Sequence, residues 1–157
     1  MAPALQSQVA SVSLKPREQV MGEVASFVLS SGMAPAQLAG TAKICLSVGY
    51  RTDDIDVALA SALMLVAVGQ GAYGELLGHH LNQGFGATRR PDLSLAWYTG
   101  ANDAIAQGQP AVFSPGDPGR TELVHQAALR ASGGSLAAPQ PTQAGATGAL
   151  PLFKIEQ

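Results

Sequence analysis

Apolar residues recur every three or four positions along the middle of the chain and predict six α-helices. The predicted helices begin near Pro16, Pro35, Ile55, Ala72, Pro91 and Pro118. Proline suits the first turn of a helix, where its missing N–H has no partner to lose. Alternation typical of a β-strand is weak and confined to residues 9–14. The pattern therefore predicts an all-α domain whose short loops make neighbouring helices antiparallel.

The third predicted helix is apolar nearly all round. Ile55, Ala58 and Ala62 lie on one stripe, and Met64 and Leu65 extend the apolar surface beyond it. A helix of this kind is buried on several sides. The apolar run 57–68 is shorter than the roughly 20 residues that cross a bilayer. We therefore expect a central core helix and no integral membrane segment.

The two ends of the chain differ in composition from the middle. Residues 1–14 carry no charge and no basic region of a signal peptide, and we expect a flexible leader. The helical domain is expected at 15–131. Residues 132–157 are predicted to be a disordered tail, because 132–149 lack the apolar side chains needed to offset the entropy of ordering. A short apolar end, 150–155, is expected either to dock on a folded body or to act as a linear motif.

Composition and charge exclude several classes of function. The chain has 157 residues and a net charge of −2, without the basic stripe of a nucleic-acid-binding protein. Its single cysteine, Cys45, excludes an internal disulfide framework and a multi-cysteine zinc site. Only 13% of residues are charged, where about 25% is usual, so some apolar surface is expected to stay exposed.

Glycine, aromatic and small residues stand at regular spacing between residues 73 and 108. Gly78 allows two helices to approach closely, and the glycines at 84 and 86 supply a tight turn with positive φ. Trp97 and Tyr98 fill the space between paired helices. The full set is Leu77, Gly78, Gly84, Gly86, Trp97, Tyr98 and Ala101.

This spacing resembles the Sel1-like repeat, an α/α relative of the tetratricopeptide repeat. A degenerate second unit precedes it, with Ser61 and Ala62 where the tryptophan and tyrosine would stand. The resemblance implies a short α/α solenoid of about six antiparallel helices. It also implies a non-catalytic protein–protein interaction module or adaptor, in bacteria often in envelope, polysaccharide or motility machinery. The location would be periplasmic if the leader is a trimmed mature start, and otherwise cytoplasmic.

The clear repeat offers candidate partner-binding residues. Glu75, His79 and Asn82 follow one helix face at spacings of four and three. We expect them to line a groove, formed by the first helices of consecutive repeats, that accepts a peptide or a partner helix. Arg89 and Arg90 lie in the following loop, either contacting a partner or remaining solvated. No cofactor is expected.

Three alternatives use the same residues or the same surface. A metal site is disfavoured because His79 and His80 are adjacent and point about 100° apart on a helix. A small glycan hydrolase would use Glu75 with a second carboxylate, such as Asp92 or Asp103, and is the third choice for function. The second choice is a self-associating structural subunit, because head-to-tail contacts of exposed apolar surfaces build rings or filaments.

Overall fold

A computed structural model describes residues 2–133 of the chain. Over this range the chain forms seven α-helices and one 3₁₀ turn, Gly71–Tyr73, and no β-strand. The helices are α1 (Ala2–Ser11), α2 (Arg17–Ser31), α3 (Pro35–Arg51), α4 (Ile55–Ala67), α5 (Gly74–Gln83), α6 (Pro91–Ala106) and α7 (Pro118–Ala131). The all-α prediction is confirmed. The predicted disordered tail, including the apolar end 150–155, lies outside the described residues from 134 onward.

Capping residues set the helix boundaries. Gly32 ends α2 in the left-handed conformation, with φ at 64°. Asp54 begins α4 by accepting a hydrogen bond from the backbone N–H of Val57, and Asp117 begins α7 by accepting from the N–H groups of Gly119 and Arg120. These carboxylates satisfy donors that have no partner inside the helix.

The centre of the molecule is α4. Every residue from Ala58 to Val66 is buried. The helix contacts α1, α2, α3 and α5, so its apolar surface is covered on several sides. Among residues 2–133, no helix has the length and apolarity needed to cross a membrane.

The expected flexible leader is corrected. Residues 2–11 form α1, which packs against α4, and Leu5 and Val12 are fully buried there. Leu5, Val9 and Val12 are separated by four and three positions, a spacing that lets all three side chains be buried, although the backbone is kinked at Leu5 and Val12 lies just after the helix. The segment after α1 is also held, because Ser13 accepts hydrogen bonds from the Thr88 N–H and the Arg90 guanidinium.

Two helical hairpins, α3–α4 and α5–α6, make up most of the remaining body. In the first, a Cβ atom on Gly49 would lie 2.7 Å from the backbone N of Ala58, so the two helices touch backbone to backbone. In the second, a Cβ atom on Gly78 would lie 2.9 Å from the ring of Tyr98. Trp97, which precedes Tyr98 in the sequence, is fully buried. The helix α7 packs on α6, and α2 contacts both α4 and α6.

The turn between α5 and α6 needs glycine at two positions. Gly84 ends α5 with φ at 74°, and Gly86 has φ at 66°. Both values lie in the left-handed region that favours glycine. Gly86 also packs against Ile55 so closely that a Cβ atom there would overlap its side chain. The turn is therefore fixed against the start of α4.

Candidate functional site

An apolar cleft of about 400 Å³ opens between α3, α5 and the loop that precedes α7. Its walls are chiefly Tyr50, Leu76, His79, His80, Phe85 and Phe113. Clefts of this size and character are typical of binding sites for small molecules or for single side chains of a partner. We refer to it as the aromatic cleft.

The chain delivers three aromatic side chains to the cleft from the ends of elements. Tyr50 lies in the last turn of α3 and is 40% exposed. Phe85 directly follows the glycine that ends α5 and is 53% exposed. Phe113 comes from the loop between α6 and α7 and is partly buried. Aromatic side chains left open to solvent around one cavity are typical of an interaction site.

His80 is held on both nitrogens. Its Nδ1 lies 2.5 Å from the carbonyl oxygen of Phe85, and its Nε2 lies 2.7 Å from the Tyr50 hydroxyl. A carbonyl oxygen only accepts, so Nδ1 carries the proton and Nε2 accepts from Tyr50. Burial lowers the pKa of His80, and the nearby His79 acts in the same direction, against the opposing effect of the Phe85 hydrogen bond. His80 is therefore a neutral, positioned ring.

His79 belongs to a second network under the cleft. Its Nε2 lies 3.1 Å from Glu75 Oε1 and its Nδ1 lies 2.8 Å from the Tyr98 hydroxyl. Arg120, from α7, reaches the same Glu75 oxygen at 2.5 Å. Burial raises the pKa of Tyr98, and the Glu75 charge raises it further, so this hydroxyl stays protonated and donates to His79.

Glu75 is ionised in this network. Burial would raise its pKa, but the hydrogen bonds and charges of His79 and Arg120 outweigh burial, and the net pKa is lowered. A general acid needs the opposite shift, toward neutral pH. The Glu75 side chain thus holds α5 to α7 as the anion of an ion pair.

The walls of the cleft are formed mainly by aromatic and histidine rings. The Phe85 ring lies nearly parallel to the His80 ring with ring centres 5.7 Å apart, and the Tyr50 ring lies nearly parallel to it at 5.8 Å. Phe113 meets His79 edge-on at 6.0 Å. Since the histidine nitrogens are bonded internally, the site suits apolar or aromatic groups better than charged ones.

The structure separates the predicted groove residues. His79 lines the aromatic cleft. Glu75 does not line a groove: it is only 3% exposed and lies beneath Arg120. Its partner is 45 positions away in sequence, which the pattern on α5 alone does not indicate. Asn82 is half-buried, and its backbone oxygen accepts a hydrogen bond from Arg89.

The two loop arginines have different positions. Arg89 bonds the end of α5 through Asn82. Arg90 makes a two-pronged ion pair with Asp92, at 2.9 and 2.6 Å, and also donates to the Ser13 carbonyl. Arg90 thus ties the segment after α1 to the start of α6. Asp92 is engaged in that pair, so it does not converge on Glu75. Asp103 lines a different cleft, beside Arg17.

Sequence reasoning missed Tyr50, Phe85 and Phe113, which line the cleft, and Arg120, which pairs with Glu75. The three aromatic residues come from separate parts of the chain. Each lies at a helix end or in a loop, and an aromatic residue at such a position is the signal that points to them. Within residues 2–133, no three His, Cys, Asp or Glu side chains are grouped as a metal site requires.

Comparison of the chain with protein-family models, with curated proteins and with solved structures finds no match.

Proposed function

We propose that the protein is a non-catalytic protein–protein interaction module whose aromatic cleft holds a short apolar segment of a partner. One observation carries this proposal. Five of the seven residues that line the cleft present rings, with Leu76 and Gln83 completing it. The nitrogens of both histidines and the hydroxyls of Tyr50 and Tyr98 are engaged in bonds inside the protein. Such a site recognises apolar shape.

The expected strength of binding follows from buried area. One aromatic side chain buries about 150–250 Å², which contributes roughly 4–6 kcal/mol at about 25 cal/mol per Å². Neighbouring residues of the bound segment bury further area, and the loss of translational and conformational freedom offsets a similar amount. We therefore expect the module to bind single peptides weakly, with a Kd of roughly 10 μM to 1 mM.

The resemblance to Sel1-like repeats supports the proposal of a partner site at this place. Tyr50 lies on α3 and the two histidines lie on α5, which are the first helices of consecutive hairpins. In that family, partner grooves are expected between such helices. The same resemblance extends the proposal to an adaptor in bacterial envelope, polysaccharide or motility machinery, in the periplasm or the cytoplasm.

A random peptide library displayed on phage tests the proposal on the full chain. We expect enriched peptides to share an aromatic or large aliphatic residue. Phe85→Ser should weaken their binding at least tenfold, because it removes one wall of the cleft. The matched control is Leu29→Ser, the same kind of change on α2 at a side chain that is 82% exposed. Enriched peptides that bind both variants equally, or no enriched peptide, would overturn the proposal.

A second candidate, a self-associating structural subunit, is favoured by one observation. Several large aliphatic side chains outside the cleft are largely exposed, among them Leu14, Ile44 and Leu123. Exposed apolar surface of this kind is typical of contact between copies. Light scattering on the full chain over a concentration series tests it. A rising mass that Ile44→Ser or Leu123→Ser lowers would support assembly, and a constant monomer mass would exclude it.

A further inference from the structure

We propose that residues 150–155 of this chain dock in its own aromatic cleft, as an internal ligand that a partner must displace. This inference rests on the proposed function, because it names the regulation of the same cleft. Three features carry it: the apolar content of the segment, the reach of the connecting chain, and the character of the walls.

The segment is the one apolar stretch in the sequence after Gly133. It contains Leu150, Leu152, Phe153 and Ile155, whereas 134–149 contain a single large apolar residue, Leu136, and no charge. Pro151 biases the residue before it toward extended backbone. Extended proline-containing segments are the usual ligands of grooves lined by aromatic rings. The segment therefore has the chemistry that the cleft accepts.

The connecting chain has the right length. At the start of α7, the Arg120 guanidinium lies 5.2 Å from the ring centre of Phe113, which lines the cleft. From there the helix carries the chain away by about 20 Å, at 1.5 Å per residue up to Gly133. Leu150 follows 17 residues later. A flexible chain of that length spans about 5–6 Å times the square root of 17, or roughly 20–25 Å.

A match between linker span and required distance gives the highest effective concentration. For short flexible linkers this is of the order of 1 mM. A segment with an intrinsic Kd of about 100 μM would then be docked roughly ten times more often than it is free. A partner competing for the cleft would bind about tenfold more weakly than it does to a cleft left open.

The test uses the full chain and a fluorescently labelled synthetic peptide with the sequence of residues 148–157. The tail variant carries Leu152→Ser and Phe153→Ser, which remove the apolar side chains of the segment and leave the described body unchanged. Fluorescence anisotropy should show the peptide binding the tail variant about tenfold more tightly than the wild type. In the tail-variant background, Phe85→Ser should abolish that binding, and Leu29→Ser should preserve it.

The outcomes separate this inference from the proposed function. Equal binding to the wild type and the tail variant would overturn docking within the chain and leave the cleft a peptide site. Binding of library peptides without binding of the 148–157 peptide would show that the segment is not a ligand. A mass that doubles with concentration in the wild type, and not in the tail variant, would place the segment in another copy and so also overturn the inference. Failure of every peptide would overturn both proposals.

Discussion

The two hairpins on either side of the aromatic cleft are held together in different ways. In α3–α4, the helices touch backbone to backbone at Gly49, and α4 contributes nine consecutive buried residues of small or aliphatic type. In α5–α6, two bulky side chains fill the interface: Tyr98 lies against Gly78, and Trp97, which is fully buried, lies against Gly74. The first interface is spread over many side chains and the second is concentrated in two. They should therefore respond differently to single substitutions.

The largest effect is expected from Trp97→Ala. Its side chain is fully buried, so truncation should lower the free energy of unfolding by about 3–5 kcal/mol. Trp97→Phe should cost less than about 1.5 kcal/mol, because it keeps most of the ring volume. It also removes an indole N–H that has no hydrogen-bond partner within residues 2–133. Urea unfolding followed by circular dichroism measures both variants.

Leu29→Ala is the control for this series. The Leu29 side chain is largely exposed, so its truncation should change the unfolding free energy by no more than about 0.5 kcal/mol. A Trp97→Ala variant as stable as that control would contradict the concentrated interface. It would also remove the physical basis for the repeat motif.

How far the sequence predicts the structure depends on the range of the interactions. The helices α2 to α7 follow from local signals, namely apolar spacing and the caps at Gly32, Asp54 and Asp117. The helix α1 was missed because its leader-like composition outweighed the spacing of Leu5 and its neighbours. Burial against α4 stabilises it, and that contact is long-range. Local sequence patterns carry no information about such long-range contacts.

The candidate site was less predictable for the same reason. His79 was identified from its place on α5, and it does line the cleft. The spacing on the same helix face predicted that Glu75 lines a groove, but in the structure Glu75 is paired with Arg120 from α7. Tyr50 and Phe113 reach the cleft from segments 63 residues apart in the sequence. Their convergence depends on how the helices pack, which periodicity does not specify.

Glycine-to-alanine substitutions sharpen the comparison between the hairpins. Gly49→Ala should cost about 3 kcal/mol or more, because the new methyl group meets backbone that cannot move aside. Gly78→Ala should cost about 1–3 kcal/mol, because the Tyr98 ring can yield partly. Gly40→Ala, in α3 with no atom within 4 Å of the new Cβ, should instead stabilise by about 0.5–1 kcal/mol.

Chemical denaturation of the three glycine variants gives their order directly. The expected ranking of stability is Gly40→Ala above wild type, then Gly78→Ala, then Gly49→Ala. If Gly78→Ala lowered stability more than Gly49→Ala, the α5–α6 interface would be more rigid than the α3–α4 interface, which is the opposite of the expected order.

Acid should weaken the α5 side of the cleft first. Burial lowers the pKa of His80 below its ordinary value of 6.5, so the unfolded chain binds a proton more readily than the folded chain. Stability should therefore fall as the pH drops below about 6.5 and continue to fall down to the folded pKa. The lowered pKa of Glu75 adds a second loss below about 4.5.

Unfolding free energies at pH 7.5, 6.5 and 5.5 measure the histidine contribution. His80→Asn retains a donor for the Phe85 carbonyl and removes the titration, so it should flatten the decrease between pH 7.5 and 5.5. A variant that kept the full slope would assign this pH dependence to other groups.

The smallest expected effect concerns the hydrogen bond between Tyr50 and His80, which links the two hairpins. The Tyr50 hydroxyl, on α3, donates to His80 Nε2, on α5, over 2.7 Å. Tyr50→Phe keeps the ring wall of the cleft and should cost about 1 kcal/mol, the usual net value of one hydrogen bond. A double-mutant cycle with His80→Asn isolates the pair, and its coupling energy should be about 0.5–1.5 kcal/mol. Zero coupling would mean that this hydrogen bond adds nothing to the stability of the contact between the hairpins. Tyr50→Phe should also leave peptide binding unchanged, because the ring surface, rather than the hydroxyl, forms the wall of the cleft.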